Sequence, residues 1–245
     1  MTTLKNYQLT NDFVVDKNND LIIYSNFNQQ VDNLNIEILD DAVLKILFVN
    51  SKLNVNFKLN NNSVLEIYNV FITNEKSSTN DININVDLNG INANTSISNL
   101  YLASNDAIIN SNVHINHNKE LTNSNFNIYA ISKDDAKLVL NNNAHILNGM
   151  HQSNAFQKTK GLNLSPNAKI ITQPNLFIDE YDVKASHSVA VGSINQDDLF
   201  YLMSRGLKKE DSEKLIVMGF INPVITNIDD ETIKEDIYKQ FIINL

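Results

Sequence analysis

Apolar and polar residues alternate in short runs along most of this chain. Lys52 to Leu59 reads KLNVNFKL, Ile82 to Leu88 reads ININVDL, and Asn125 to Tyr129 reads NFNIY. Strict alternation puts every second side chain on one face, the signature of a strand with one side buried. The runs are broken by Asn, Asp and Ser rather than by Gly–Pro pairs. Helical periodicity is hard to find before about residue 195.

A weak internal similarity adds topology to this pattern. Ser63 to Thr73 (SVLEIYNVFIT), Ala107 to Ile115 (AIINSNVHI), Ala136 to Leu147 (AKLVLNNNAHIL) and Ala168 to Ile178 (AKIITQPNLFI) share one scheme. Each opens with a small residue and an apolar strand, breaks at a polar turn, then resumes with apolar, bulky, apolar. A corner inside every repeat suggests strands wound into a solenoid. Coils of roughly 20–25 residues stacked ~4.8 Å apart would make about eight turns of a parallel β-helix. A sandwich or barrel also uses many short strands and stays open on pattern alone. In the solenoid reading, Asn side chains fall at equivalent corners and hydrogen-bond up and down the stack.

The character changes near Ile194. Asn195 is placed to cap a helix whose first turn carries Asp197 and Asp198, and Arg205 and Gly206 close it. Glu213 to Phe220 continues as helix until Pro223 interrupts. From Asp229 to Leu245, Ile233, Ile237, Phe241 and Leu245 recur four apart on one face of an amphipathic helix. That stripe fits packing on the chain's own domain or on a partner. The expectation is therefore a mainly β protein, with a parallel β-helix over residues 1–193 and a small α-helical docking region over 194–245. The helical region is expected to be removable without unfolding the strands.

Composition narrows the function. Net charge is −9 with no Lys/Arg-rich run, which disfavours binding to nucleic acid or to an anionic membrane surface. There is no cysteine, so disulfides and thiolate ligation by this chain are excluded. No signal-peptide pattern or membrane-length apolar stretch is visible, which points to the cytoplasm. Asn is in large excess, roughly one residue in six, and it suits turns because it tolerates left-handed backbone.

Candidate chemistry is sparse. The motifs of α/β-hydrolases, zinc proteases, phosphate loops and dinucleotide folds are missing. Asp40–Asp41 and Asp134–Asp135 read as solvated corners. His114 and His117, three apart on a strand, point to opposite faces. His145 fills a bulky repeat slot, and His151 is a lone turn residue. His187, flanked by Ser186 and Ser188, is either structural or a metal ligand and proton carrier.

Asn175 to Gly192 (NLFIDEYDVKASHSVAVG) and Ile194 to Leu207 (INQDDLFYLMSRGL) resemble the SufB/SufD family of the SUF system, and SufD more than SufB. The matching positions are Asp182, Val183, Lys184, Ser186, His187, Val191, Gly192, Phe200, Tyr201, Leu202, Ser204, Arg205 and Gly206. Gln157, Gly161 to Ser165 and Met218 to Phe220 extend the likeness. Ala185 and Ser188 stand where the family often has Cys and Gly. The chain is also short, and the expectation is a reduced form without the N-terminal helical region of longer members.

The resemblance implies a right-handed parallel β-helix and a non-catalytic scaffold for iron–sulfur cluster assembly. It implies pairing with a SufB-like subunit, or with a second copy. It also implies docking of a SufC-like ATPase through a region including Phe200, Tyr201, Leu202, Arg205, Gly206 and Phe220. His187 becomes the group at the cluster-assembly interface and a candidate iron ligand. No cofactor would be tightly bound by this chain alone; a cluster or iron would be transient, between subunits. A carbohydrate-active β-helix enzyme of the polysaccharide lyase type is the alternative.

Overall fold

Alternating strands need somewhere to bury one face, and here parallel strands are wound into coils whose inner faces meet. The computed structural model describes all residues except 1, 19, 20, 26 and 27. The first strands are β1 (Thr2–Tyr7), β2 (Phe13–Val15), β3 (Leu21–Ser25), β4 (Gln30–Ile38), β5 (Val43–Val49) and β6 (Lys52–Leu59). Next come β7 (Val64–Thr73), β8 (Thr79–Leu88), β9 (Asn94–Ala103), β10 (Ile108–His117) and β11 (Asn123–Ser132). The last are β12 (Lys137–Ile146), β13 (Asn154–Asn163), β14 (Lys169–Ile178) and β15 (Lys184–Ser193).

Odd-numbered strands stack in chain order into an eight-stranded sheet, and even-numbered strands into a seven-stranded one. Every pairing is parallel. This is a β-helix, and the sandwich and barrel readings fall away. Its core lies between the two sheets, where Ile36, Phe57, Val86, Ile97, Phe126 and Leu138 are fully enclosed.

Coil length departs from the expected 20–25 residues. Asn35 and Asn56, stacked neighbours, are 21 residues apart, but Asn83 and Asn112 are 29 apart and Asn143 and Asn175 are 32 apart. Strands lengthen from seven residues in β5 to ten in β7, so later coils need more chain. The repeat alignment is corrected as well. Ala107, Ala136 and Ala168 occupy one buried corner, just before the register-matched Ile108, Lys137 and Lys169. Ser63 instead precedes β7 in the opposite sheet. Both corners want a small inward residue where the strand begins, so the two half-coils look alike.

Asparagine does what the stack predicts. Asn112 Nδ2 donates to Asn83 Oδ1 at 3.0 Å, and Asn141 Nδ2 donates to Asn112 Oδ1 at 2.8 Å. Asn94, Asn123 and Asn154 form a second ladder at 2.9 and 2.6 Å. At one corner Asp41, Asn62, Asn92, Leu121 and Gln152 all take left-handed backbone, with φ between 55° and 62°. Each donates its N–H to a carbonyl one coil further on. Next to this column, a Cβ on Gly90 would lie 2.0 Å from the Asn60 carbonyl carbon, so no larger residue fits there.

Three helices follow: α1 (Gln196–Ser204), α2 (Lys209–Ile225) and α3 (Glu231–Asn244). Asn195 caps α1 by accepting from Asp197 N at 2.9 Å, and Gly206 turns the chain with φ 96°. Pro223 does not interrupt as expected but lies inside α2. It falls in the last turn, where one lost hydrogen bond is outweighed by burial of Val224 and Ile225.

The amphipathic stripe settles on its own domain. Val217, Ile221, Val224, Ile225, Ile237 and Phe241 pack on the outer face of the eight-stranded sheet. They cover Val49, Val70, Ile72, Leu100, Leu102 and Ile131 there. The second halves of β7, β9 and β11 are therefore buried on both faces, while their first halves alternate. Removing α2 and α3 would expose this apolar face, so the helical region is not a detachable tail. Lys45 pairs with Asp229 at 2.5 Å, Lys5 pairs with Asp230, and Lys133 donates to the Leu245 carbonyl, fastening the helices at both ends.

Candidate functional site

A coil stack is closed along its length but open at its ends. At the C-terminal end, β14 is the edge of one sheet and β15 the edge of the other. Register identifies the inward side chains. Ile170, Thr172, Pro174, Leu176 and Ile178 continue the buried row Leu138, Leu140, Asn142, Ala144 and Ile146. Ala185, His187, Val189 and Val191 continue Ala155, Gln157, Thr159 and Gly161. With no further coil above them, these side chains are half-buried or exposed; Ile178 is 41% exposed and Val189 45%. The end of the core is laid open.

From Ala185 to Ser193 β15 contains no charge and no Pro. Free edges are normally guarded by such residues, because unpaired N–H and C=O groups template further strands. In β14 Pro174 removes one donor, so β15 is the better template.

His187 thus stands on the inward row of the last coil, with an exposed ring. Directly beneath it is Gln157, 5% exposed, whose Nε2 donates to the Asn175 carbonyl at 3.2 Å. The rim beside this end is braced by charge. Glu180 accepts from the backbone N–H of Asp182, Gly149 and Tyr181, which holds its carboxyl below the usual carboxylate range. His145 Nε2 lies 2.9 Å from Asp179 Oδ2 and stacks edge-on against Phe177, while His151 Nδ1 lies 3.4 Å from Glu180. Among the described residues, no three His, Asp or Glu side chains converge to hold a metal.

His114 is exposed and His117 is fully buried, so the two do face opposite ways. Asp41 and Asp134 occupy left-handed corners.

The other sequence-selected residues group around α1, which starts three residues after β15 ends. Phe200 is 74% and Tyr201 56% exposed. Arg205 lies over the Tyr201 ring at 5.2 Å and donates to its hydroxyl at 3.3 Å. Leu202 is half-buried, and Gly206 ends the helix. Phe220 stands apart: it lies on α2, edge-on to Tyr129 at 5.5 Å in the helix–sheet interface. The open coil end itself went unread in the sequence, although Val189 and Val191 alternating with small residues in the charge-free stretch Ala185–Ser193 was a usable signal.

The family model described as "SUF system FeS cluster assembly, SufBD core domain" matches residues 14–220. This chain belongs to the SufBD core family. Among its relatives, the iron–sulfur cluster assembly protein SufD of Bacillus subtilis is 38% identical over 109 residues, covering 44% of this chain and 25% of that protein. SufD of Escherichia coli is 27% identical over 155 residues, covering 63% of this chain and 37% of that protein. A SufBD family protein of Pyrococcus horikoshii is 41% identical over 85 residues, 32% of this chain and 19% of that protein. The matches thus span between about a fifth and two fifths of these SufBD relatives. Among the described residues, no helix is long and apolar enough to cross a membrane.

Proposed function

We propose that this SufBD-family chain is a non-catalytic scaffold subunit for iron–sulfur cluster assembly. It pairs through the free edges of β14 and β15 with a SufB-like subunit or a second copy. The observation that carries this reading is an edge strand free of charge and Pro from Ala185 to Ser193 beside an open apolar core, with His187 on the inward row. Edge-to-edge addition would satisfy the unpaired backbone and cover Ile178, Val189 and Val191 together.

The nascent cluster is cargo at that junction. Cluster iron is normally held by thiolates, with histidine an occasional substitute. A chain with no cysteine contributes nitrogen or oxygen ligands only, so the sulfur ligands come from the partner. His187 is the side chain placed to contribute. The exposed pair Phe200 and Tyr201, with Arg205 stacked on the latter, is the docking surface for a SufC-like ATPase. Because α2 and α3 are packed into the sheet, movement at α1 is passed to the strands rather than absorbed in a loose tail.

Val189→Lys places a charge in the edge. It should abolish subunit pairing in size-exclusion chromatography while leaving the circular dichroism of the chain unchanged. Undiminished pairing would refute end-to-end assembly. Phe200→Ala with Tyr201→Ala should remove ATPase capture and leave pairing intact. His187→Ala should preserve the complex but slow cluster build-up, measured by visible absorbance.

A further inference from the structure

Side chains stacked one coil apart in this fold join by hydrogen bonds. Asn94, Asn123 and Asn154 do so at 2.9 and 2.6 Å, as do Asn83, Asn112 and Asn141 at 3.0 and 2.8 Å. Gln157 and His187 have the same register relation, on the inward row. Gln157 is buried, and its amide orientation is decided by its surroundings: Nε2 donates to the Asn175 carbonyl, so Oε1 is the other end. That oxygen is buried and has no partner. A buried acceptor left unmet is costly. The residue stacked on it, His187, carries a donor and an exposed ring free to turn.

We infer that Gln157 is a positioning residue for His187. Its Oε1 accepts the N–H of one ring nitrogen, which makes the other nitrogen the lone-pair donor and turns it toward the open end of the coil stack. A ligating imidazole is commonly oriented in this way, by a hydrogen bond from its second nitrogen. The amide oxygen fits the task because it accepts without adding charge. The inference rests on the reading of His187 as the group that faces the cluster.

The test uses the full chain with ¹⁵N-labelled histidine, reading the tautomer of His187 by NMR at a pH where the ring is neutral. One tautomer should be favoured about fivefold over the ratio of an unconstrained histidine, the equilibrium factor of one ordinary hydrogen bond. Gln157→Leu should return the ratio to the unconstrained value, and Gln157→Glu, which keeps an acceptor, should retain the preference. An unconstrained ratio in the unsubstituted chain overturns the inference, and that measurement does not depend on any variant folding. An unchanged ratio in Gln157→Leu overturns it too. In the assembled complex, Gln157→Leu should slow cluster build-up and Gln157→Glu should largely restore it. If the tautomer responds but neither Gln157→Leu nor His187→Ala affects build-up, the positioning stands and the cluster-facing role of His187 fails.

Discussion

His117 gives this protein a built-in sensitivity to acid. Its ring is fully enclosed, with Nδ1 2.8 Å from Thr122 Oγ1 and Nε2 2.9 Å from Ser124 Oγ. Both partners are hydroxyls, each able to donate or accept, so either neutral tautomer is fully hydrogen-bonded. Every polar atom is satisfied with the ring neutral. Protonation would bury a charge, and this desolvation pushes the pKa from 6.5 down to about 4. Between these values the unfolded chain binds more protons than the folded one, so stability is lost as pH falls from about 6.5 toward 4. Above that window the full stability is present, and below it the loss is complete and no longer changes with pH. A gap of about 2.5 pH units at 1.36 kcal/mol each amounts to about 3 kcal/mol. The assay is equilibrium urea unfolding at pH 7, 5.5 and 4, for the unsubstituted chain and for His117→Gln. The other histidines contribute to both proteins and cancel. The stability difference between the two should shift by about 3 kcal/mol against the unsubstituted chain as the pH drops. A difference independent of pH would refute the reasoning.

Two further substitutions probe the fold. Leu121 is the one branched apolar residue in the left-handed corner column, at φ 61° between Asn92 and Gln152. Leu121→Asn should stabilise by about 1 kcal/mol, the cost of that backbone for an ordinary side chain, and raise the melting temperature. Ile221 is fully buried between α2 and the eight-stranded sheet. Ile221→Ala should destabilise by roughly 2–5 kcal/mol in urea titration, and a change below about 0.5 kcal/mol would mean that the helices are loosely attached.

Much of this architecture is written locally. Alternation such as KLNVNFKL reports a half-buried strand because side chains alternate across a pleat. Asn at the corners reports left-handed backbone and stacked amides. The helix starts at Asn195 and Asp230 are caps readable from neighbouring residues alone. The doubly buried stretches were legible too, since VFI at Val70–Ile72, LYL at Leu100–Leu102 and YAI at Tyr129–Ile131 abandon alternation. What they met could not be read, because the covering helices lie some ninety or more residues away along the chain.

Local pattern alone made this chain a stack of strands with corners and a helical end. Only the folded molecule decided coil length and register, the face that receives α2 and α3, and which coil is left open. Burial pattern records that a side chain is hidden, not what hides it. His187 shows the same division. Its motif marked the residue, but only register placed it on the inward row above the unmet oxygen of Gln157. That adjacency arises from winding the chain once around, and no local interaction encodes it.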